Sequence, residues 1–599
     1  MLLLHFAVAL HALSLLPRCW GKTYESLEDL PGREFDFVVV GGGTAGLVVA
    51  NRLTEDARFT VLVLEAGSTS AGVYDSEVPF LFNNLLVEPN IHDWNFSTTP
   101  QLGLNNRVLP YPRAFMLGGC SAHNVMYYTR ASADDWDRYA ALTGDEGWSW
   151  KNVFPYFLKS EAWTAPADGH NTTGEYDPAV HSTHGKVEVS LNGYPWPFGA
   201  MVIDAAKTST STEFAFNLDT NSGNSLGIGW LQSTIGHGVR STSATAYLFP
   251  EDVARRPNLH VLLHAQTTRL VQPQTTPDGK INFGGIEFVI AGTTVVVNAR
   301  KETILSGGTV GSAAILLQSG IGDKDELGAV GIPSVLHLPS TGKNVTDHPA
   351  LTLSWTVNST DTADTFSGNS TALDEALAQW NASHTGPMTL TSATNVGWLR
   401  LDADDPIFEN VTDPAAGPQA PHIEFSFNAG TNTITSTSNT STGHHISITV
   451  AVVTPTSRGA IMLNGSNPLV APLINPNFLT TEFDFYTLRA AVGKAQQFVA
   501  LEIFKDYVVA PDMDLSPPDV LDQYIRENGR SFSHLVSSAA MSAVNASYGV
   551  VDPDLRVKGT TGLRVIDASV LPIVPSAHTQ AAIYVIGERG ADLVKAQWT

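Results

Sequence analysis

The sequence predicts an α/β chain, α+β in its overall organisation, and three observations carry that prediction. Phe37 to Val40 is an apolar, mostly β-branched run of the kind that forms a buried parallel strand. It runs into Gly41, Gly43 and Gly46, a GxGxxG turn opening a helix through Leu47 to Leu53. Val61 to Leu64 is a second apolar run, and it ends in Glu65, 19 residues after Gly46. Strand, glycine turn, helix, strand and acid in this order predict a Rossmann-like nucleotide-binding unit.

Each part of the unit has a physical task. Gly41 permits the tight turn, Gly43 lets the backbone approach a pyrophosphate, and Gly46 lets helix and strand pack closely. Thr44 and Ala45 lie in the turn between them, where the helix N-terminus faces phosphate charge. The Glu65 carboxylate is placed to accept hydrogen bonds from ribose hydroxyls and would repel a 2′-phosphate, so the cradle suits the adenosine half of FAD or NAD, not NADP.

Two later runs, Lys301 to Leu305 and Leu563 to Ile566, end in glycine or a carboxylate and read as further strands of the same unit, which is therefore discontinuous. Pro421 to Phe427 and His445 to Val453 alternate or run β-branched, predicting an antiparallel sheet with helices in a second domain. The segments Thr356 to Asp413 and Gly430 to Gly443 are dense in small polar residues and read as surface loops or excursions. No internal repeat stands out.

A chain of 599 residues is too long for one ordinary core and predicts two to four domains. Hydrophobic residues at 43% and charged residues at 15% are those of a globular protein. The net charge of −24 disfavours nucleic acid and anionic membrane as partners. Met1 to Trp20 carries an apolar stretch from Leu2 to Leu16 ended by Pro17, too short to span a bilayer comfortably, and reads as a secretory leader over residues 1–21. Secretion agrees with ten Asn-x-Ser/Thr acceptors, at Asn95, Asn171, Asn344, Asn358, Asn369, Asn381, Asn410, Asn439, Asn464 and Asn545. Loss of the leader removes Cys19 and leaves Cys120 as the one thiol, so no intramolecular disulfide is expected, and two cysteines exclude a thiolate zinc or iron–sulfur site. His444 and His445 sit in a polar loop and read as solvated; no metal is expected.

Residues 113 to 130, RAFMLGGCSAHNVMYYTR, combine a Gly-Gly turn with small and polar residues, a pattern for close backbone approach to a ligand. This stretch resembles the first signature of the glucose-methanol-choline oxidoreductases, and Gly308 to Gly322 resembles the second. With the N-terminal glycine turn and the C-terminal histidine region, the resemblance spans essentially the whole mature chain. Cys120 stands where serine is usual, and Ala313 where proline or serine is usual. The resemblance implies FAD as the cofactor, with Gly118, Gly119, Ser121, Asn124 and Met126 along the isoalloxazine. It also implies that residues 342 to 348 lie near the cofactor, which would argue against a glycan on Asn344, and that Asp567, Ala568 and Thr579 contact FAD. It places residues 22–345 mainly in an FAD-binding domain, with an insertion at about 150–230, residues 346–545 mainly in a substrate domain, and residues 546–599 back in the FAD-binding domain.

Two histidines, His534 and His578, are 44 residues apart. The matching pair in the family faces flavin N5: one imidazole takes the hydroxyl proton of an alcohol while the carbon-bound hydrogen leaves as hydride, and the second binds the same oxygen. His534 is assigned as the base and His578 as its partner, although His534 is followed by Leu535-Val536-Ser537-Ser538 where Pro-Val-Gly-Thr is usual. The run GGCSAHN is similar to fungal pyranose dehydrogenases, in which the histidine at the place of His123 is bonded to the flavin 8α-methyl carbon. Asp135 to Trp148 resembles aryl-alcohol oxidases as much. The resemblance implies a secreted, monomeric glycoprotein that oxidises pyranose hydroxyls to keto sugars or lactones and passes electrons to quinones, phenoxy radicals or metal complexes. An aryl-alcohol oxidase producing hydrogen peroxide is the alternative, and a hydroxynitrile lyase on the same fold a more distant one.

Overall fold

The computed structural model describes residues 23–367, 369–431 and 443–598. The expected leader and the acceptor Asn439 lie outside the described residues. The first sheet is built around the predicted unit. Glu34–Val40, Val61–Leu64 and Leu259–Leu262 are parallel neighbours, and Thr293–Leu305 adds in parallel on the other side of Glu34–Val40. Leu563–Val565 then pairs in parallel with residues 303–305, so the chain returns to this sheet near its end. Strands buried on both faces need continuous apolar runs, and the predicted runs are those strands.

The Thr293–Leu305 strand is long because it serves two pairings. Its second half lies in the parallel sheet, while its first half pairs antiparallel with Ile281–Ile290, which pairs with Gln266–Thr275. The helix Thr44–Leu53 leaves the glycine turn and packs on the C-terminal helix Gln580–Trp598, where a Cβ on Gly587 would lie 2.9 Å from Val48 Cβ. Arg52 makes a paired contact with Glu588 across this interface, at 2.8 Å and 2.7 Å.

The second sheet runs in the order Val508–Pro511, Pro349–Val357, His445–Val452, Ile423–Asn428, Asn395–Leu399 and Gly227–Trp230, antiparallel throughout. The two runs read as strands in the sequence are its centre. Strand alternation sorts their side chains: Phe425, Phe427, Ile446, Ile448 and Val450 enter an apolar core with the helix Glu482–Val499. Glu424, Ser426 and Thr449 therefore stand on the opposite face.

Two expectations need correction. The polar segment from Thr356 to Asp413 is not only loop: it contains the helix Ser370–Ser383 and the fully buried strand Asn395–Leu399. Asn369 caps the helix by accepting from the Ala372 N–H, while Ala376 and Trp380 supply a narrow buried stripe, so polar composition hid a real apolar face. His445 is not solvated. It is buried at the start of a central strand, beside Asp364 and Thr431, and His444 shares a hydrogen bond with the Thr362 hydroxyl.

A buried polar cluster ties four segments together. His181 lies 2.8 Å from Glu161 through Nδ1 and 2.8 Å from Asp219 through Nε2, and Arg130 donates to Glu161 at 2.7 Å. Burial works against a charge on His181, but the hydrogen bonds to Asp219 and Glu161 outweigh it and raise its pKa. A raised folded-state pKa means that the stabilisation is complete below the unfolded value of about 6.5 and is lost as pH rises through the folded value. His181→Ala is expected to cost roughly 3 kcal/mol near pH 5, the scale of a broken buried pair, and less in alkaline buffer. Urea unfolding of both proteins across pH tests this; a gap that widens with pH would contradict it.

Candidate active site

One cavity of about 700 Å³ joins the glycine turn to the histidines. Its nucleotide end is a junction of backbones. Gly41 has φ +105°, and a Cβ there would lie 2.4 Å from the Ser306 carbonyl oxygen. Gly119, φ +52°, meets Gly43 so closely that a Cβ would be 2.7 Å from the Gly43 Cα. Gly43 precedes the helix Thr44–Leu53 without any side-chain cap, which leaves first-turn N–H groups without a capping acceptor, and Gly43, Thr44 and Ala45 all face the cavity. Both oxygens of Glu65 are held by backbone, Oε2 accepting from Gly42 N–H and Oε1 from Gly67 N–H, each at 2.8 Å. On the facing wall Asp567 accepts from Gly308 N–H and from the Ser312 and Ser569 hydroxyls, beside Ala568 and Thr579. These donors and open glycine surfaces fit a dinucleotide.

Residues 119 to 127 form the middle of the cavity. Ser121, His123, Asn124 and Met126 line it, with Met126 held at φ +62° while its N–H donates to Asn124 Oδ1. Asn124 is fixed in turn by Gln580. His123 is buried with Nε2 2.9 Å from Asp93 Oδ2, yet the angle makes no hydrogen bond and both atoms are left without one. The ring lines the cavity, but its Nε2 is closed off against Asp93 and does not face the open space. Cys120 also faces this space.

Two site expectations are corrected by the geometry. Gly118 does not line the cavity; its N–H donates to Gly42 and its carbonyl accepts from Ser121, so it braces the wall from behind. Gly46 lies behind the wall too, where a Cβ would strike the Gly41 carbonyl at 2.0 Å, in keeping with the close packing expected of it. Asn344 is exposed, and no residue from 342 to 348 lines the cavity, so nearness to a cofactor gives no argument against a glycan there. His348 and Asp347 act through the histidine loop instead.

At the far end the rings of His534 and His578 meet with centroids 4.5 Å apart, nearly perpendicular. Their support differs. His578 Nε2 lies 2.7 Å from Glu424 Oε1, and its backbone N–H donates to the Thr129 hydroxyl. His534 Nδ1 lies 3.0 Å from His348 Nδ1, a contact that requires one of the two nitrogens to carry a proton. Asp347 positions this loop: one oxygen accepts from the N–H groups of His348 and His534, and the other from Tyr111 and Ser531 hydroxyls. Burial pushes the His534 pKa well below the ordinary imidazole value, and the neighbouring His578, His348 and Arg113 push it the same way. A neutral imidazole facing a cavity can accept a proton.

Glu424, His348, Asp93 and Tyr127 were not singled out by sequence. Glu424 left one signal, a carboxylate in the otherwise apolar run Ile423-Glu424-Phe425. Tyr127, whose ring is 4.5 Å from His578, completes the substrate end with the hydroxyls of Ser392, Ser426 and Thr449. The stretch 135–148 contributes nothing to the cavity lining, so its resemblance to aryl-alcohol oxidases concerns scaffold and not substrate.

Comparison with known proteins agrees with this geometry. Models of the GMC oxidoreductase family match residues 35–350 and 455–587. A pyranose dehydrogenase of Agaricus campestris is 41% identical, covering 94% of both chains. Dehydrogenase eriK of Hericium erinaceus is 40% identical over 97% of this chain and 98% of its own. Among solved structures, a formate oxidase superposes with a TM-score of 0.85 at 28% identity, covering 94% of this chain and 99% of that one.

Two outcomes are expected. Gly119→Ala should force the Gly43–Gly119 contact apart, and the purified protein should retain little FAD, read from its visible flavin absorbance; full retention would remove the cradle argument. Because the depressed His534 pKa keeps the ring neutral below pH 6.5, the rate of flavin reduction by substrate should hold level from neutral pH to well below that value. A loss centred near pH 6.5 would point to another base.

Proposed function

Because the chain belongs to the GMC oxidoreductase family, which binds FAD and oxidises CH–OH donors, we propose that it is a secreted sugar dehydrogenase acting on ring hydroxyls of pyranoses. The products are keto sugars or lactones, and the electrons leave to quinones, phenoxy radicals or metal complexes. The observation that carries this reading is near full-length similarity to a pyranose dehydrogenase, joined to a histidine pair that faces a hydroxyl-lined pocket end. FAD, when bound, supplies the two-electron acceptor for the hydrogen on the donor carbon.

The rest of the chemistry falls to this chain. His534 takes the hydroxyl proton through Nε2, which requires Nδ1 to carry the hydrogen in the contact with His348. His578 orients the same oxygen, and Glu424 fixes that ring by accepting from Nε2. The proton gained by His534 is accommodated beside the Glu424 carboxylate, one histidine away. His123, whose ring lines the cavity, is proposed as the residue that would carry the 8α link to FAD, as the family resemblance implies. The nine acceptor asparagines among the described residues are all exposed, which supports a glycosylated surface. A monomer is proposed.

An aryl-alcohol oxidase is the second reading, favoured by the aromatic walls at Tyr127 and Phe532, whose rings stand 4.5 and 5.5 Å from His578. Anaerobic stopped-flow separates the two: sugars should bleach the flavin and aryl alcohols should not, and benzoquinone should reoxidise it faster than oxygen. The reverse pattern would replace the first reading with the second. His534→Ala should lower the reduction rate by about 10²- to 10⁴-fold, the span of general-base contributions. Acid-precipitated protein should stay yellow; free FAD in the supernatant would exclude the covalent link.

A further inference from the structure

Arg530 is a cation without an anion in the substrate end of the cavity. It sits on the short edge strand Arg530–Ser531, opposite Ala350, four residues before His534. Its guanidinium centre lies 5.4 Å from the Phe532 ring, and that ring lies 5.5 Å from His578, so guanidinium and His578 ring are no more than about 11 Å apart. No hydrogen-bond acceptor or carboxylate is within reach of it among the described residues, and its Nε is buried without a partner. Arg52, Arg130 and Arg564 are matched to acids, Glu588, Glu161 and Glu302, and the buried Arg240, which has no acid, is held by the Ser76 and Asn124 carbonyls, whereas Arg530 has neither. The acid nearest the histidines, Glu424, is engaged with His578, and Asp347 with four donors.

An unpaired guanidinium in a cavity wall is costly, and burial accordingly pushes its pKa down to about 9, which still leaves it charged at neutral pH. A planar five-donor group at the wall of a binding cavity matches a carboxylate, which it holds by two parallel hydrogen bonds. We propose that Arg530 anchors a carboxylate on the alcohol donor, so that the substrate class is a hydroxy acid of sugar size, such as a uronic acid. This rests on the sugar reading above and narrows it: the acid group is held at Arg530 while the reacting hydroxyl lies at His534 and His578.

The test uses the holoenzyme and two molecules of one shape, benzoate and benzamide, titrated against the bound flavin's absorbance. Benzoate should bind the native protein more tightly. In Arg530→Gln its affinity should fall by about ten- to hundredfold, the scale of a charge-assisted contact, with benzamide affected much less and Arg530→Lys recovering part of the loss. In kinetics the kcat/KM ratio of D-glucuronate over D-glucose should fall by a similar factor. Equal binding of benzoate and benzamide to the native protein would overturn the proposal, and that arm needs no variant to fold. So would an equal loss for both ligands, the sign of a packing role on Phe532, or an Arg530→Gln flavin spectrum altered before any ligand is added, the sign of a role toward the cofactor. Failure of the sugar reading looks different. If 4-(hydroxymethyl)benzoate reduces the flavin in an Arg530-dependent way and no sugar does, the anchor stands and the sugar assignment falls. If glucose reduces it and the variant shows no charge selectivity, the anchor falls alone.

Discussion

The whole site depends on a place where three stretches of backbone touch without side chains between them. Gly41 lies against Ser306, Gly43 against Gly119, and the Gly118 N–H donates to the Gly42 carbonyl at 2.8 Å. Any Cβ at Gly41 or Gly119 would push the loops apart, so the closeness is specified residue by residue. Its consequence is reach. Once residues 118–119 are bound to the first turn, residues 121–126 are carried along the same cavity toward the histidines, and residues 306–311 close the opposite side. The long strand Thr293–Leu305 delivers Ser306 to this junction from the parallel sheet.

The second sheet supplies the other end by simple alternation. Its apolar positions build a core with the helix Glu482–Val499, and that packing fixes which side chains must face the other way. Glu424, Ser426 and Thr449 face the cavity because Phe425, Phe427 and Val450 cannot. A slip of one residue in the register of Ile423–Asn428 would bury Phe425 in the site and turn Glu424 away from His578. Core packing thus sets the geometry of the His578–Glu424 contact more firmly than the contact itself does.

What the sequence made legible follows the range of the interactions involved. The turn from Gly41 to Gly46 and the run Val61 to Glu65 are local, and the strands, the tight turn at Gly41 and the close packing at Gly46 are found as read. His534 and His578 were recognised through a family pattern and do meet, but the partners that distinguish them, His348 and Glu424, come from segments more than 150 residues away and have no local mark beyond one acid in an apolar run. Gly118 was misplaced because it is adjacent to a lining residue and not one itself. The segment 356–413 was misread because composition averages over a helix whose buried stripe is two residues wide, Ala376 and Trp380, and a strand of five.

The balance of charge inside the site runs opposite to that of the molecule. The chain carries a net −24, yet every acid at the cavity wall is already spent: Glu65 on two backbone N–H groups, Asp567 on Gly308, Ser312 and Ser569, and Glu424 just beneath it on His578. Arg113 and Arg530 remain in the lining without a carboxylate within ion-pair distance among the described residues. The Arg113 charge favours negative charge on a bound oxygen and disfavours positive charge on His534 before reaction. In the reaction proposed for this chain, both effects serve one step. The base starts neutral, and the oxygen from which it takes a proton sits where an alkoxide is least costly.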